Sequence, residues 1–88
     1  LGGAYPNPFN GGVQLPFSLG LSGETELVIF NSLGQRVQLL YSGYMGAGVH
    51  QLHWDGRDER GVEVASGLYQ AVLRAQGQVS VRGLTLIK

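Results

Sequence analysis

The sequence predicts an all-β fold, an antiparallel β-sandwich of immunoglobulin-like type with about seven strands, on three observations. Apolar residues recur with a period of two in segment after segment, whereas no stretch carries the period of a helix. Turn residues punctuate the chain about every 8–12 residues. The chain has 88 residues, of which 15 are glycine. That length suits one domain with a single core, and the glycines suit turns and bulges rather than slack.

The leading stretch Tyr5-Pro6-Asn7-Pro8-Phe9-Asn10 cannot be ordinary secondary structure. Two prolines remove two backbone donors and push the residue before each toward extended conformations. Asn7 and Asn10 can cap their own turns, and Gly11-Gly12 frees the chain to reverse. Leaving the Tyr5 and Phe9 rings in water would forfeit roughly 1.5–3 kcal/mol each, so this reads as a rigid, aromatic-anchored lead into a strand.

Val13, Leu15, Phe17 and Leu19 then alternate with polar residues and Pro16, which places the first strand at a sheet edge or a break between sheets. Ser22-Gly23-Glu24 turns into a second strand, Thr25 to Asn31. There Leu27 and Ile29 face one way, and Val28 and Phe30 make the other face apolar too. Asn31 to Gln35 carries a hairpin signal, with Gly34 at positive φ. Arg36 to Tyr41 forms the third strand, Gly43 to Gly48 a glycine-rich connection, and Val49 to Asp55 the fourth strand, with His50, Leu52 and Trp54 in phase.

The stretch from Asp55 to Gly67 is polar and turn-rich. Leu68 to Ala75 follows as a strand with Tyr69, Ala71 and Leu73 on one face, and Gln76-Gly77-Gln78 turns tightly into a final strand, Val79 to Ile87. Val79 and Val81 hold one phase of that strand and Leu84 and Leu86 the other, which predicts a β-bulge at Arg82-Gly83. Trp54 and Tyr69 are expected in the core.

Composition narrows the function. Six acidic and six basic residues balance, so nothing points to nucleic acid or an anionic membrane, and there is no cysteine for a disulfide or thiolate site. The longest apolar run, Leu27 to Phe30, is far too short for a transmembrane segment. The chain carries no leader and starts with Leu, which reads as a piece of something longer.

No candidate constellation reads as an enzyme. His50 and His53 stand at i and i+3 on a strand, on opposite faces, without a third ligand for a metal. Asp55, Asp58 and Glu59 lack the alternating pattern of a calcium loop and read as a turn whose Asp side chains cap backbone N–H groups. No nucleophile elbow or phosphate-cradling loop is present, and no cofactor is implied. Phe30, Tyr41, Tyr44 and Tyr69 can make a stacking platform for sugar rings, against the plainer reading of scattered and core aromatics.

Taken in order, YPNPFN at 5–10, ELVIFNSLGQRV at 26–37, GVHQLHWDGRDERGVEVASGLY at 48–69 and RGLTLIK at 82–88 resemble the C-terminal sorting domain of type IX secretion cargo in Bacteroidetes and their relatives. That domain is close in sequence to the immunoglobulin-like domain of the flagellar hook-capping protein. The resemblance covers residues 5–88 as one immunoglobulin-like domain, with residues 1–4 (Leu1, Gly2, Gly3, Ala4) as linker and cleavage region. It implies an address rather than a catalyst. The cargo would fold in the periplasm and cross the outer membrane through the type IX translocon, helped by a shuttle protein. A surface sortase would then remove the domain, leaving the cargo on lipopolysaccharide at the cell surface or released outside.

Recognition residues implied by the resemblance are Tyr5, Pro6, Asn7, Pro8, Phe9, Gly67, Tyr69 and Lys88, and Arg82, Leu84 and Leu86 of the last strand are recognition candidates beside them. The chain departs from the family at Arg82-Gly83, where a basic pair is common, and at Gly11-Gly12, where proline and Ser/Thr are. Leu84 to Lys88 is expected to be an open edge strand that a partner seizes by strand addition, unless it merely completes the sandwich. Deleting those five residues would then block export of a folded monomer. The alternative function is a carbohydrate-binding or spacer module of a secreted glycoside hydrolase.

Overall fold

A computed structural model describes residues 1–88. Six antiparallel strands form two sheets: β1 (Val13–Leu19), β2 (Gly23–Asn31), β3 (Arg36–Met45), β4 (Gly48–Trp54), β5 (Gly67–Ala75) and β6 (Gln78–Leu86). One sheet is the pair β1-β4 and the other has the order β3-β2-β5-β6. There is no helix. The count is six rather than seven because the leading segment, which has the length for a strand, makes only single bridges, Tyr5 to Gln14 and Phe9 to Leu86.

The inward phase of each strand meets in one core. Val13, Leu15, Phe17 and Leu19 of β1 pack with Leu27 and Ile29 of β2, Ala71 and Leu73 of β5, and Leu84 and Leu86 of β6. Trp54 is fully buried at its centre. Its ring meets Phe9 at 5.6 Å and Tyr69 edge-on at 5.2 Å between centroids. Its indole N–H donates to the Arg57 carbonyl at 2.9 Å, which satisfies the one polar atom brought inside.

Two expectations about the strands are corrected. The third strand does not stop at Tyr41 but runs to Met45, since Gly43 pairs with Thr25 instead of entering a loop. The pairing of β5 with β6 is continuous from Ala75↔Gln78 to Gly67↔Leu86, so no bulge stands at Arg82-Gly83. The phase change in β6 has another cause: its outer face carries Val79 and Val81, and its inner face carries Ser80 and Arg82 until Leu84 reaches the core. The bulges lie instead in β3, where the pairing with β2 skips Leu40 and Val37. The extra residues let Val37, Leu40 and Tyr41 all touch the core.

The outer face of the larger sheet is as apolar as β2 suggested. Leu39, Val28, Val72 and Val81 lie side by side across all four strands, and Val28 keeps only 4% exposure. Pro16 stands on the side of β1 away from β4, where its missing N–H leaves no ladder bond unmade, and its carbonyl accepts the Gly2 N–H at 2.8 Å.

Asp55 to Ser66 connects the sheets, and aspartates organise it as expected. Asp55 Oδ1 accepts the Arg57 N–H at 3.1 Å, and Asp58 Oδ1 accepts those of Arg60 at 2.9 Å and Val62 at 3.1 Å. The loop seals the free edge of β3 through the Glu59 N–H on the Val37 carbonyl at 3.1 Å.

Candidate functional site: the joined ends of the chain

The residues implied in recognition come from the two ends of the sequence, and the fold brings those ends together. Tyr5 pairs with β1 through its backbone, with Tyr5 N–H on the Gln14 carbonyl at 3.1 Å and Gln14 N–H on the Tyr5 carbonyl at 2.8 Å. Its half-exposed ring sends the hydroxyl to Gln51 Oε1 at 2.6 Å. Gln51 Nε2 donates in turn to Gln14 Oε1 at 3.0 Å, and Gln14 Nε2 meets His53 Nδ1 at 2.8 Å. Gly12 makes room for that imidazole, since a Cβ there would stand 2.5 Å from its Cε1.

Two residues on, the same segment has changed sheets. Asn7 reaches the outer edge of β6, donating from Nδ2 to the Gly83 carbonyl at 3.0 Å and accepting the Thr85 N–H on Oδ1 at 3.0 Å. Phe9 continues the pairing with its backbone, its N–H on the Thr85 carbonyl and the Ile87 N–H on its own carbonyl, both at 2.8 Å. The bridge is parallel. Pro6 and Pro8 have no N–H to give, and the peptides Tyr5–Pro6 and Asn7–Pro8 are both cis. The primary amide of Asn7 therefore plays the part of a backbone peptide unit, one donor and one acceptor at strand spacing. Its expected role as a cap of its own turn is corrected accordingly.

Residues 1–4, expected as linker and cleavage region, lie along the same strand. Leu1 and Ala4 pack against the core, while Gly2 and Gly3 stay exposed. The Leu1 amino group donates to Ser80 Oγ at 2.8 Å. Arg82 donates from Nε to the Gly2 carbonyl at 3.0 Å and from Nη2 to the Leu1 carbonyl at 2.8 Å.

The candidates thus divide by burial. Phe9, Tyr69, Leu84 and Leu86 are core residues, whereas Tyr5, Pro6, Asn7, Pro8, Arg82 and Lys88 are exposed. Tyr69 donates its hydroxyl to the Ala65 carbonyl at 2.6 Å, and burial pushes its phenol above the ordinary tyrosine range. Gly67 opens β5 opposite Leu86. Lys88 is tied to the connecting loop, its N–H on Ser66 Oγ at 3.1 Å and its ammonium 3.6 Å from Glu63.

This geometry overturns the expected open edge at Leu84 to Lys88. From Gly83 to Ile87 every outward backbone group named above is already taken by Asn7 or Phe9. Deleting the last five residues would also strip two core leucines, exposed only 1% and 2%, so the shortened chain would lose its core rather than a handle.

An aromatic stacking platform does not assemble. Tyr69 is in the core, and Tyr41 lies on the core face opposite Leu27, its hydroxyl donating to the Tyr44 carbonyl. Phe30 pairs with Arg36 and Tyr44 with Glu24, at opposite ends of β2. The histidines part as expected, with His50 stacked on Phe17 at 5.5 Å between centroids and His53 in the polar chain on the outer face. What sequence reasoning missed is the partnership of Asn7 with β6. The signal was present in an Asn flanked by two residues that cannot donate.

Comparison with known proteins places the fold. The chain overlays PorZ, described as an essential bacterial surface component of the type-IX secretion system of Porphyromonas gingivalis, with a TM-score of 0.64 at 24% identity; 97% of this chain and 11% of that one are covered. Dimeric latent PorU from the same species gives 0.70 at 17% identity, covering 96% and 9%. FlgD from P. aeruginosa gives 0.62 at 20%, covering 84% and 59%. The chain therefore spans about a tenth of PorZ and PorU and under two thirds of FlgD. No curated protein matches it by sequence. The family described as FlgD Ig-like domain matches residues 7–78, well over half the chain, and the protein belongs to that family.

Proposed function

We propose that this domain is a C-terminal sorting signal, which directs a secreted cargo across the outer membrane by the type IX system. It serves as an address, not as an enzyme. The cargo travels through the periplasm to the cell surface or the medium. A shuttle protein and the translocon read the domain, and a surface sortase removes it and attaches the cargo to lipopolysaccharide. The observation that carries this reading is the overlay on PorZ, in which nearly the whole of this chain corresponds to about a tenth of a type IX surface component. A module of that proportion is an appendage to a larger protein, as a sorting domain is. The YPNPFN, Ser-Gly-Leu-Tyr and RGLTLIK segments support the same assignment, and Tyr5, Asn7, Arg82 and Lys88 are its exposed contacts.

The test is a fusion of residues 1–88 to the C-terminus of a periplasmic reporter, expressed in a strain with a working type IX system and in a system-null strain. Reporter at the surface or in the medium of the working strain alone, trimmed before Tyr5, is the expected result. Reporter retained in the periplasm of both strains would sink the assignment.

A further inference from the structure

We propose that the outer edge of β6 is an acceptor site for an extended peptide strand, held half closed by Asn7 and Phe9 and half open at Val79–Val81. That the peptide belongs to the sorting machinery rests on the reading above; the site itself does not.

The argument starts from alternation. In an antiparallel pair, successive residues turn their N–H and C=O groups alternately toward and away from the neighbour. Thr85 and Ile87 point theirs away from β5, to Asn7 and Phe9. By the same alternation Val79, Val81 and Gly83 face outward, and apart from the Gly83 carbonyl their outward groups have no partner in the chain. The edge is therefore continuous over nine residues but filled only in its second half.

The open half also lacks the devices that protect the other edges. The free edge of β3 carries two bulges and the Asp55–Ser66 loop, and β1 is covered by Gly2 and Tyr5. At Gln78–Val81 there is no charge, proline or bulge, and Val79 and Val81 are 55% and 49% exposed.

The seated segment shows what the site accepts. It runs parallel to β6 and uses alternate positions, Asn7 and Phe9, as its bonding units. It places an aromatic ring against Trp54. Its grip is weak where the prolines fall, because two main-chain donors are replaced by one side-chain amide. A peptide without those prolines, parallel to β6 and bearing an aromatic residue at the Phe9 position, matches the same acceptors with its own backbone and reaches the open groups as well. It docks first on the open groups of Val81 and Gly83, where no backbone bond must break, beside the Leu1–Gly2 segment held by Ser80 and Arg82, and then displaces Asn7 and Phe9 step by step.

The experiment uses the isotope-labelled 88-residue domain and the capped synthetic peptide Thr-Val-Thr-Val-Thr-Phe-Asn. A control peptide carries proline in place of both valines. Amide exchange and chemical shifts are followed by NMR. In the free domain, Val81 and Gly83 amides exchange fast, Thr85 and Ile87 more slowly, and Leu84 and Leu86, which face β5, slowest. The valine peptide protects Val81 and Gly83, and the proline control does not. Asn7→Ala removes both side-chain bonds, so it speeds exchange at Thr85 and Ile87 and tightens the peptide by about tenfold. Asn7→Asp keeps the acceptor for Thr85 and loses the donor to Gly83, and falls between. If the peptide protects neither Val81 nor Gly83 in any of the three proteins, there is no acceptor site. Equal affinity for all three would overturn displacement. Both outcomes are read on the isolated domain and are independent of reporter export.

Discussion

Trp54 is the residue on which most of this core converges. Phe9 and Tyr69 meet its ring from the leading segment and from β5, and its N–H fixes the start of the connecting loop at Arg57. Trp54→Ala would leave a cavity between both sheets and cost about 3–5 kcal/mol, most of the stability of a domain this small. Denaturant unfolding followed by circular dichroism checks this, with loss of the cooperative transition as the extreme case. Tyr69 adds a dependence on pH. Its phenol holds its proton more tightly folded than unfolded, so its contribution is complete below pH 10 and is lost as pH climbs through the higher folded value. Tyr69→Phe loses the bond to Ala65, about 1 kcal/mol at neutral pH, and also loses that linkage. The stability gap between wild type and Tyr69→Phe should therefore narrow from pH 9 to pH 11 in denaturant titrations at each pH.

Among the elements, the connecting loop depends on one carboxylate. Asp58 accepts two backbone N–H groups, whereas its contact with Arg60 is a 3.9 Å pair with the guanidinium largely in water. Asp58→Ala should thus cost about 2 kcal/mol, with an unchanged denaturant slope, while Arg60→Ala should cost under about 0.5 kcal/mol. The strands show how far sequence alone could reach. Period-two patterns located all six strands, since each has one face in the core, and the Asp turns were legible because their bonds are local. The β3 bulges were not, because Leu40 and Tyr41 become core neighbours only once β2 fixes the register. The false bulge in β6 had the opposite cause: valines on an outer face imitate a core phase when Leu39, Val28 and Val72 lie beside them. The edge of β6 was read as open because the sign that it is covered lies not in β6 but at Asn7, some 76 residues away.

At the scale of the whole molecule, the leading segment belongs to the folded body. The radius of gyration is 12.5 Å, close to the roughly 12 Å of a compact chain of this length, and no tail extends from it. The segment bridges both sheets, through Tyr5 to β1 and through Phe9 to β6. Asn7 and the Gly2–Arg82 contact thereby lie along the same edge of the body, although they come from opposite ends of the sequence.

That parallel course beside β6 also fixes how the domain bears load. Leu1 lies by Ser80 and Arg82, Asn7 by Gly83 and Thr85, and Phe9 by Thr85 and Ile87. Tension between Leu1 and Lys88 pulls the two segments past one another in shear. The bonds then lie across the line of force and share it, instead of parting one after another as in a zipper. A domain dragged by one end and held by the other would stay folded under forces that would peel the same contacts apart.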